Sequence, residues 1–216
     1  MTNLQKRILT SIVALPLTIF FVVKGGYLLS FFLLFVFFLG LHELFTVFKR
    51  IKTKLFLLLI LTISILSIYY LANDSVNSLF LLYFVIGVSV SSDVGGYIFG
   101  KIFKWKKLSK ISPKKTISGV FGSYFCSFIC IIVFNKLSGS SSHGLLVSNL
   151  TIIPEILLTI FFSTVAQAGD LIISYFKRLE KIKDTGKILP GHGGIFDRID
   201  GLMFVAILAF VLILFS

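Results

Sequence analysis

Residues 27–48 read YLLSFFLLFVFFLGLHELFTVF, a run in which Glu43 is the sole formal charge. A helix of a soluble protein keeps a charged face toward water, whereas a helix apolar all round needs a solvent other than water. Crossing the hydrocarbon of a bilayer takes about 20 such residues. The stretch therefore reads as a membrane span, and similar runs lie on both sides of it: Ile8–Val23, Leu55–Ala72, Leu79–Phe99, Ile117–Phe134, Ile152–Phe176 and Leu202–Phe215. The first and last are short for a bilayer and are expected to stand upright or sit partly in the interface. The fold class that follows is all-α, a polytopic integral membrane bundle of about seven transmembrane helices. Composition agrees: 56% of the 216 residues are hydrophobic and 14% charged, at a mean hydropathy of +1.01, against about a quarter charged in soluble domains. Ile8–Val23 follows Lys6 and Arg7 as a signal peptide does, but no small-residue cleavage site is evident, so a retained first helix is expected.

The net charge of +12 would point to nucleic acid in a soluble protein. Here the cations fall between apolar runs, so no nucleic-acid partner is expected. With the N-terminus in the cytoplasm, all of the 21 Lys and Arg except Lys24 and Lys136 fall on the cytoplasmic side. That asymmetry sets the expected orientation under the positive-inside rule. The outer loops, Asn73–Ser78 and Lys136–Thr151, read as polar connectors. Cys126 and Cys130 share a helix face inside an apolar run and read as small core residues, not as a disulfide or metal pair.

Acidic groups inside spans cost about 2.5–3.5 kcal/mol at a helix centre, so each retained one needs a reason. The orientation above puts Glu43, Asp93 and Asp170 near the cytoplasmic ends of the second, fourth and sixth spans, with Asp197 and Asp200 just before the last. The spacing of Asp197 and Asp200 would place both on one helix face. For Glu43, beside His42 and near Lys49 and Arg50, a plain interfacial ion pair weighs as much as a functional role. Asp170, Asp197 and Asp200 are different, because clustered carboxylates repel and usually need a cation to hold them together. His42, His143 and His192 are scattered, so zinc is not indicated; oxygen ligands point to magnesium. Ser174 and Lys177 follow Asp170 at helical spacing and extend a polar stripe toward the loop.

That loop, residues 177–200, reads KRLEKIKDTGKILPGHGGIFDRID. Gly191, Gly193 and Gly194 allow tight turns that present N–H groups to an anion, while Lys183 and Arg198 neutralise phosphate oxygens. His192 divides evenly between a structural donor and an acid or base. A second basic stretch places Ser112, Pro113, Lys114, Lys115 and Thr116 directly before a helix, whose free N–H groups are a natural anion site. Lys101–Lys107 read as ordinary juxtamembrane lysines on anionic lipid.

The run Ser174-Tyr175-Phe176-Lys177-Arg178, then Lys183-Asp184, Gly186, Leu189-Pro190, His192-Gly193-Gly194-Ile195 and Asp197-Arg198-Ile199-Asp200, closely resembles the diagnostic motif of phosphatidate cytidylyltransferases, also called CDP-diacylglycerol synthases. Ser92-Asp93-Val94-Gly95-Gly96-Tyr97 with Gly100-Lys101, and Ile111–Thr116 followed by Gly119, look like the same family. The similarity covers Asp93–Gly201, and no charged position of the motif is lost. Gly96 stands where many members carry alanine, and the N-terminal region is short for the family.

The resemblance implies a division into N-terminal transmembrane helices (1–78) and a catalytic transmembrane domain with cytoplasmic basic loops (79–216). It implies Mg2+-dependent conversion of CTP and phosphatidate to CDP-diacylglycerol and pyrophosphate, at the cytoplasmic face of the inner membrane. It assigns Asp170, Asp197 and Asp200 to metal, Asp93 beside them, and Lys114, Lys115, Lys183 and Arg198 to triphosphate. Lys177 and Arg178 fall to phosphatidate, while Asp184, His192, Ser112, Thr116, Ser174, Gly193 and Gly194 complete the expected site. Membrane lipids and a second copy of the chain are the other expected partners. The rival readings are a transporter using Asp93 and Asp170 as an ion path, and a CTP-dependent lipid kinase.

Overall fold

The computed structural model describes residues 3–109, 111–137, 152–186, 188–189, 191 and 193–215. These form seven helices: α1 (Asn3–Lys24), α2 (Gly26–Val47), α3 (Ile51–Asn73), α4 (Val76–Phe103), α5 (Ile117–Leu137), α6 (Ile152–Leu179) and α7 (Phe196–Leu214). Among the described residues, extended pairing is confined to the isolated bridges Lys107–Thr116 and Leu189–Gly193. Each expected span is a helix, and two helices run well past the apolar stretch. α4 begins with a capping box, in which Ser75 and Ser78 exchange side chain and backbone contacts. It continues to Phe103, where Lys104 turns left-handed (φ 49°) and returns its N–H to the Gly100 carbonyl. α7 begins at Phe196, so Asp197 and Asp200 lie within its first turns.

Among the described residues, five helical stretches are long and apolar enough to cross a membrane: Gly26–Val47, Ile51–Asn73, Val76–Phe103, Ile117–Lys136 and Glu155–Leu179. The chain is a helical membrane protein. α1 has only the shorter apolar stretch Ile12–Lys24, and α7 opens on Asp197, Arg198 and Asp200. Residues 138–151, most of the expected outer loop with His143, lie outside the described residues.

α4 and α5 pack backbone to backbone. A Cβ on Gly95 would strike the Gly122 carbonyl, and one on Gly122 would enter the Phe99 side chain, so only small residues permit the approach that membrane helices use in place of a hydrophobic driving force. Cys126 and Cys130 sit in this seam as free thiols, against Gly95 and Gly87. Ser123 Oγ donates to the Ser92 carbonyl at 2.7 Å, and Ser163 of α6 donates to Ser92 Oγ at 3.1 Å, which ties the third helix to the pair. One apolar core joins α3 to α7 through Leu71, Phe84, Val88, Ile131, Phe162 and Val205. A second, at the end where α2 and α6 terminate, packs Leu44, Phe48 and Leu57 against Ile173, Phe196 and Met203. The Phe48 and Phe196 rings meet edge to face at 6.3 Å, so the α2–α3 hairpin lies directly against the start of α7.

Candidate active site

The C-terminal ends of α2, α4 and α6 and the first turns of α7 meet at one end of the bundle, and the acids the sequence singled out meet with them. Asp93 of α4, Asp170 of α6 and Asp200 of α7 are close enough for each to feel the others' charge, with Asp93 exposed, Asp170 half-buried and Asp200 9% exposed. Lys115 Nζ pairs with Asp170 Oδ2 at 2.7 Å and donates to the Gln167 carbonyl at 3.2 Å. Ser174 Oγ donates to Asp170 Oδ1 at 3.3 Å, across one turn of α6. Asp200 Oδ1 accepts the Gly201 amide at 2.9 Å. Arg198 is exposed and within electrostatic reach of Asp93.

Lys115 pairs with Asp170 and acts on Asp93, while the cation acting on Asp200 is Lys177, itself paired with Asp197, so the three carboxylates leave room for further positive charge. Among the described residues, no three His, Cys, Asp or Glu side chains stand close enough to share one ion. Magnesium does not require that arrangement. It keeps several waters and takes one or two protein carboxylates together with substrate phosphates, so the hard oxygens of Asp170 and Asp200 fit it chemically.

Asp197 is engaged elsewhere. Its Oδ1 accepts from Lys177 Nζ at 2.7 Å, and its Oδ2 accepts the amides of Thr185 at 2.8 Å and Gly194 at 3.1 Å. The side chains of Lys177 and Asp197 are 10% and 9% exposed. Burial pushes the Asp197 carboxyl up, but the Lys177 ammonium and the two amides outweigh it and hold the group below its ordinary range. In this geometry Asp197 binds the loop to the end of α6. It shares a helix with Asp200 yet serves different partners.

The glycine turn has a corresponding function. The Gly193 amide returns to the Leu189 carbonyl at 3.2 Å and the Gly194 amide goes to Asp197, so two of the three glycine N–H groups expected to face an anion are used within the protein. Gly193 has φ +91°, and a Cβ there would stand 2.7 Å from Asp197 Oδ2. A Cβ on Gly194 would stand 2.5 Å from both Glu43 carboxylate oxygens and overlap Thr185 Oγ1. Both glycines are therefore explained by close approach to carboxylates. Lys183 and Asp184 of the same loop are exposed. His192 and Pro190 lie outside the described residues.

In the other basic stretch the Lys115 amide closes a turn on the Ser112 carbonyl at 3.1 Å, which leaves Lys114 exposed and points Lys115 toward Asp170. Thr116 Oγ1 accepts the Gly119 amide at 3.1 Å and so caps α5, taking up one amide that sequence reading left for an anion. Arg178 donates to the carbonyls of Ile111, at 3.3 Å, and Ile182, at 3.0 Å, joining the two loops.

Sequence reading underrated Glu43, which is 1% exposed and pairs with no lysine among the described residues. It accepts the amides of Ile195 at 2.7 Å and Phe196 at 3.1 Å, and the hydroxyl of Thr185 at 3.2 Å. A signal was present: the residues preceding α7 are Gly193, Gly194 and Ile195, none with a side chain able to cap it. Glu180 was missed likewise. It accepts the amides of Lys49 and Arg50, at 3.2 and 3.0 Å, at the start of α3.

Residues 52–216 match the sequence profile of the cytidylyltransferase family. A phosphatidate cytidylyltransferase of Rickettsia conorii is 33% identical over 98% of this chain and 91% of the relative. Phosphatidate cytidylyltransferases of Staphylococcus haemolyticus and Staphylococcus epidermidis are each 42% identical, over 68% and 57% of this chain. The chain spans about half the length of these staphylococcal relatives, 53% and 45% respectively.

Proposed function

This chain belongs to the cytidylyltransferase family, and on that premise we propose that it joins CTP to phosphatidate, giving CDP-diacylglycerol and pyrophosphate at the cytoplasmic face of a bacterial inner membrane. The observation that carries the reading is the convergence of Asp93, Asp170 and Asp200 with Lys115 at one end of an apolar bundle. A lipid phosphate and a soluble nucleotide can meet only at such a boundary.

In the proposed reaction a phosphate oxygen of phosphatidate attacks the α-phosphorus of CTP, and the bond to the α–β bridging oxygen breaks to release pyrophosphate. The attacking group is already an anion, so no protein nucleophile is needed, and the barrier is largely repulsion between two polyanions. Asp170 and Asp200, with Asp93 beside them, would hold magnesium, which would supply positive charge against that repulsion. Lys114, Lys115, Lys183 and Arg198 hold the triphosphate. Arg178, exposed where α6 leaves the bundle, receives the phosphatidate headgroup, while Lys177, expected beside it, is enclosed against Asp197 and holds the loop. Asp197 holds the loop in place. Residues 79–216 carry the chemistry on this account, and residues 1–78 support it.

The test supplies purified protein in lipid micelles with phosphatidate and CTP labelled at either the α or the γ phosphate. Label from the α position in the lipid, dependent on Mg2+ and abolished by excess chelator, is the expected result. Label from the γ position would identify a lipid kinase, and no labelled lipid from either would return the transport reading.

A further inference from the structure

Glu43 is the one acid of α2, stands outside the region that matches the family profile, and is almost fully enclosed. Its two oxygens take the amides of Ile195 and Phe196 and the hydroxyl of Thr185, as described above. Those amides begin α7, where a negative charge is favoured by the helix dipole and no neighbouring side chain supplies a cap. The loop is shaped to receive this carboxylate, because a Cβ on Gly186 would stand 2.7 Å from Glu43 Oε1 and one on Gly194 would meet both oxygens. Glu180 makes the opposite connection, from the loop after α6 to the uncapped start of α3. The α2–α3 hairpin and the loop after α6 are thus fastened by two carboxylates reaching in opposite directions.

We propose that Glu43 is a positioning residue for the reaction: it fixes Thr185, Ile195 and Phe196, and with them the first turns of α7 that present Arg198 and Asp200 to Asp93 and Asp170. Glu180 is its reciprocal tie. The N-terminal helices therefore contribute to the site without touching substrate. This rests on the reading above for its catalytic part, and its structural part can be measured without activity.

The variant Glu43→Gln keeps size and one acceptor but sets an N–H2 against backbone N–H groups. Hydrogen exchange of the amides at 194–197 is expected to speed up at least tenfold, while that of residues 203–214 stays at the wild-type rate. Half-saturating CTP and Mg2+ are expected to rise at least fivefold with half-saturating phosphatidate unchanged. A purely structural role would lower the maximal rate with the folded fraction and leave all three concentrations where they were. Should Glu43→Gln fail to fold, Thr185→Val, which removes one of the three bonds, decides: the same shifts at smaller size support the proposal, and unchanged exchange with unchanged half-saturation overturns it. Folded Glu43→Gln with wild-type exchange, or with faster exchange and unaltered CTP and Mg2+ dependence, also overturns it. If the wild-type protein makes no CDP-lipid, the catalytic reading fails, and the exchange measurement still decides whether Glu43 fixes the loop.

Discussion

Replacing Asp197 by Asn isolates the contact on which the loop depends. The carboxylate holds Lys177 at 2.7 Å and two amides at 2.8 and 3.1 Å, in a place where both side chains are about nine-tenths enclosed. The substituted side chain could still accept both amides through its one oxygen, but its N–H2 would then face the Lys177 ammonium. The variant loses a charge-assisted hydrogen bond, worth about 1.5–3 kcal/mol, and leaves a lysine enclosed without its partner. One-sided removal of a buried pair costs about 3–5 kcal/mol, and the residual exposure puts this case near 3. For a chain of this size each kcal/mol is worth about 2–4 °C, so the unfolding midpoint should fall by about 6–12 °C. Free Cys126 and Cys130 lie in the α4–α5 seam, and a thiol-reactive dye that lights up as they are uncovered reports the midpoint in detergent. Adding Lys177→Met removes the unpaired charge and should bring the double variant back to within about 3 °C of wild type. A single variant within about 2 °C of wild type, or a double variant no better than the single, would show that the Lys177–Asp197 pair does not hold the loop.

Gly194→Ala places a methyl group 2.5 Å from both Glu43 oxygens, and overpacking of this kind should cost about 1–3 kcal/mol in the same thermal assay. Arg198→Lys keeps charge but loses the planar fork, so half-saturating CTP should rise in steady-state kinetics while most of the maximal rate is spared. Slight burial pushes Glu180 up, but the Arg50 and Lys49 amides outweigh it and hold its carboxyl below the ordinary 4.5. Its stabilisation is therefore present above that value and lost as pH falls through the lowered one, so Glu180→Gln should flatten the decline in midpoint measured between about pH 6 and about pH 3.

The apolar pattern made the helices legible, since a run such as Tyr27–Phe48 admits no other backbone solution in lipid. The gathering of Asp93, Asp170 and Asp200 was legible for a related reason: each is an ionisable group near the same end of the bundle, and alternating helix direction brings those positions together. The division of labour between Asp197 and Asp200 was not. Their spacing says that they share a helix face, but it does not say that Lys177 reaches one of them across the loop. The glycines of the loop pointed to an anion, and the anions they approach are the side chains of Glu43 and Asp197. Glu43 itself is 152 positions away from Ile195, whose amide it accepts, and no local pattern encodes so distant a cap. The end of α4 was set by a left-handed Lys104 and the start of α7 by this cap, neither of which shows in hydropathy.

On the proposed function the carboxylates gathered around Asp170 form the reaction centre, an assignment open to a single experiment. It is tested most directly by the phosphatidate-dependent release of pyrophosphate from CTP by Asp170→Asn, on protein whose thermal midpoint shows it to be folded. Asn preserves the size of the group that Lys115 and Ser174 touch and removes its charge, so turnover should fall a hundredfold or more, about 3 kcal/mol in transition-state stabilisation. Turnover within about threefold of wild type would contradict the account.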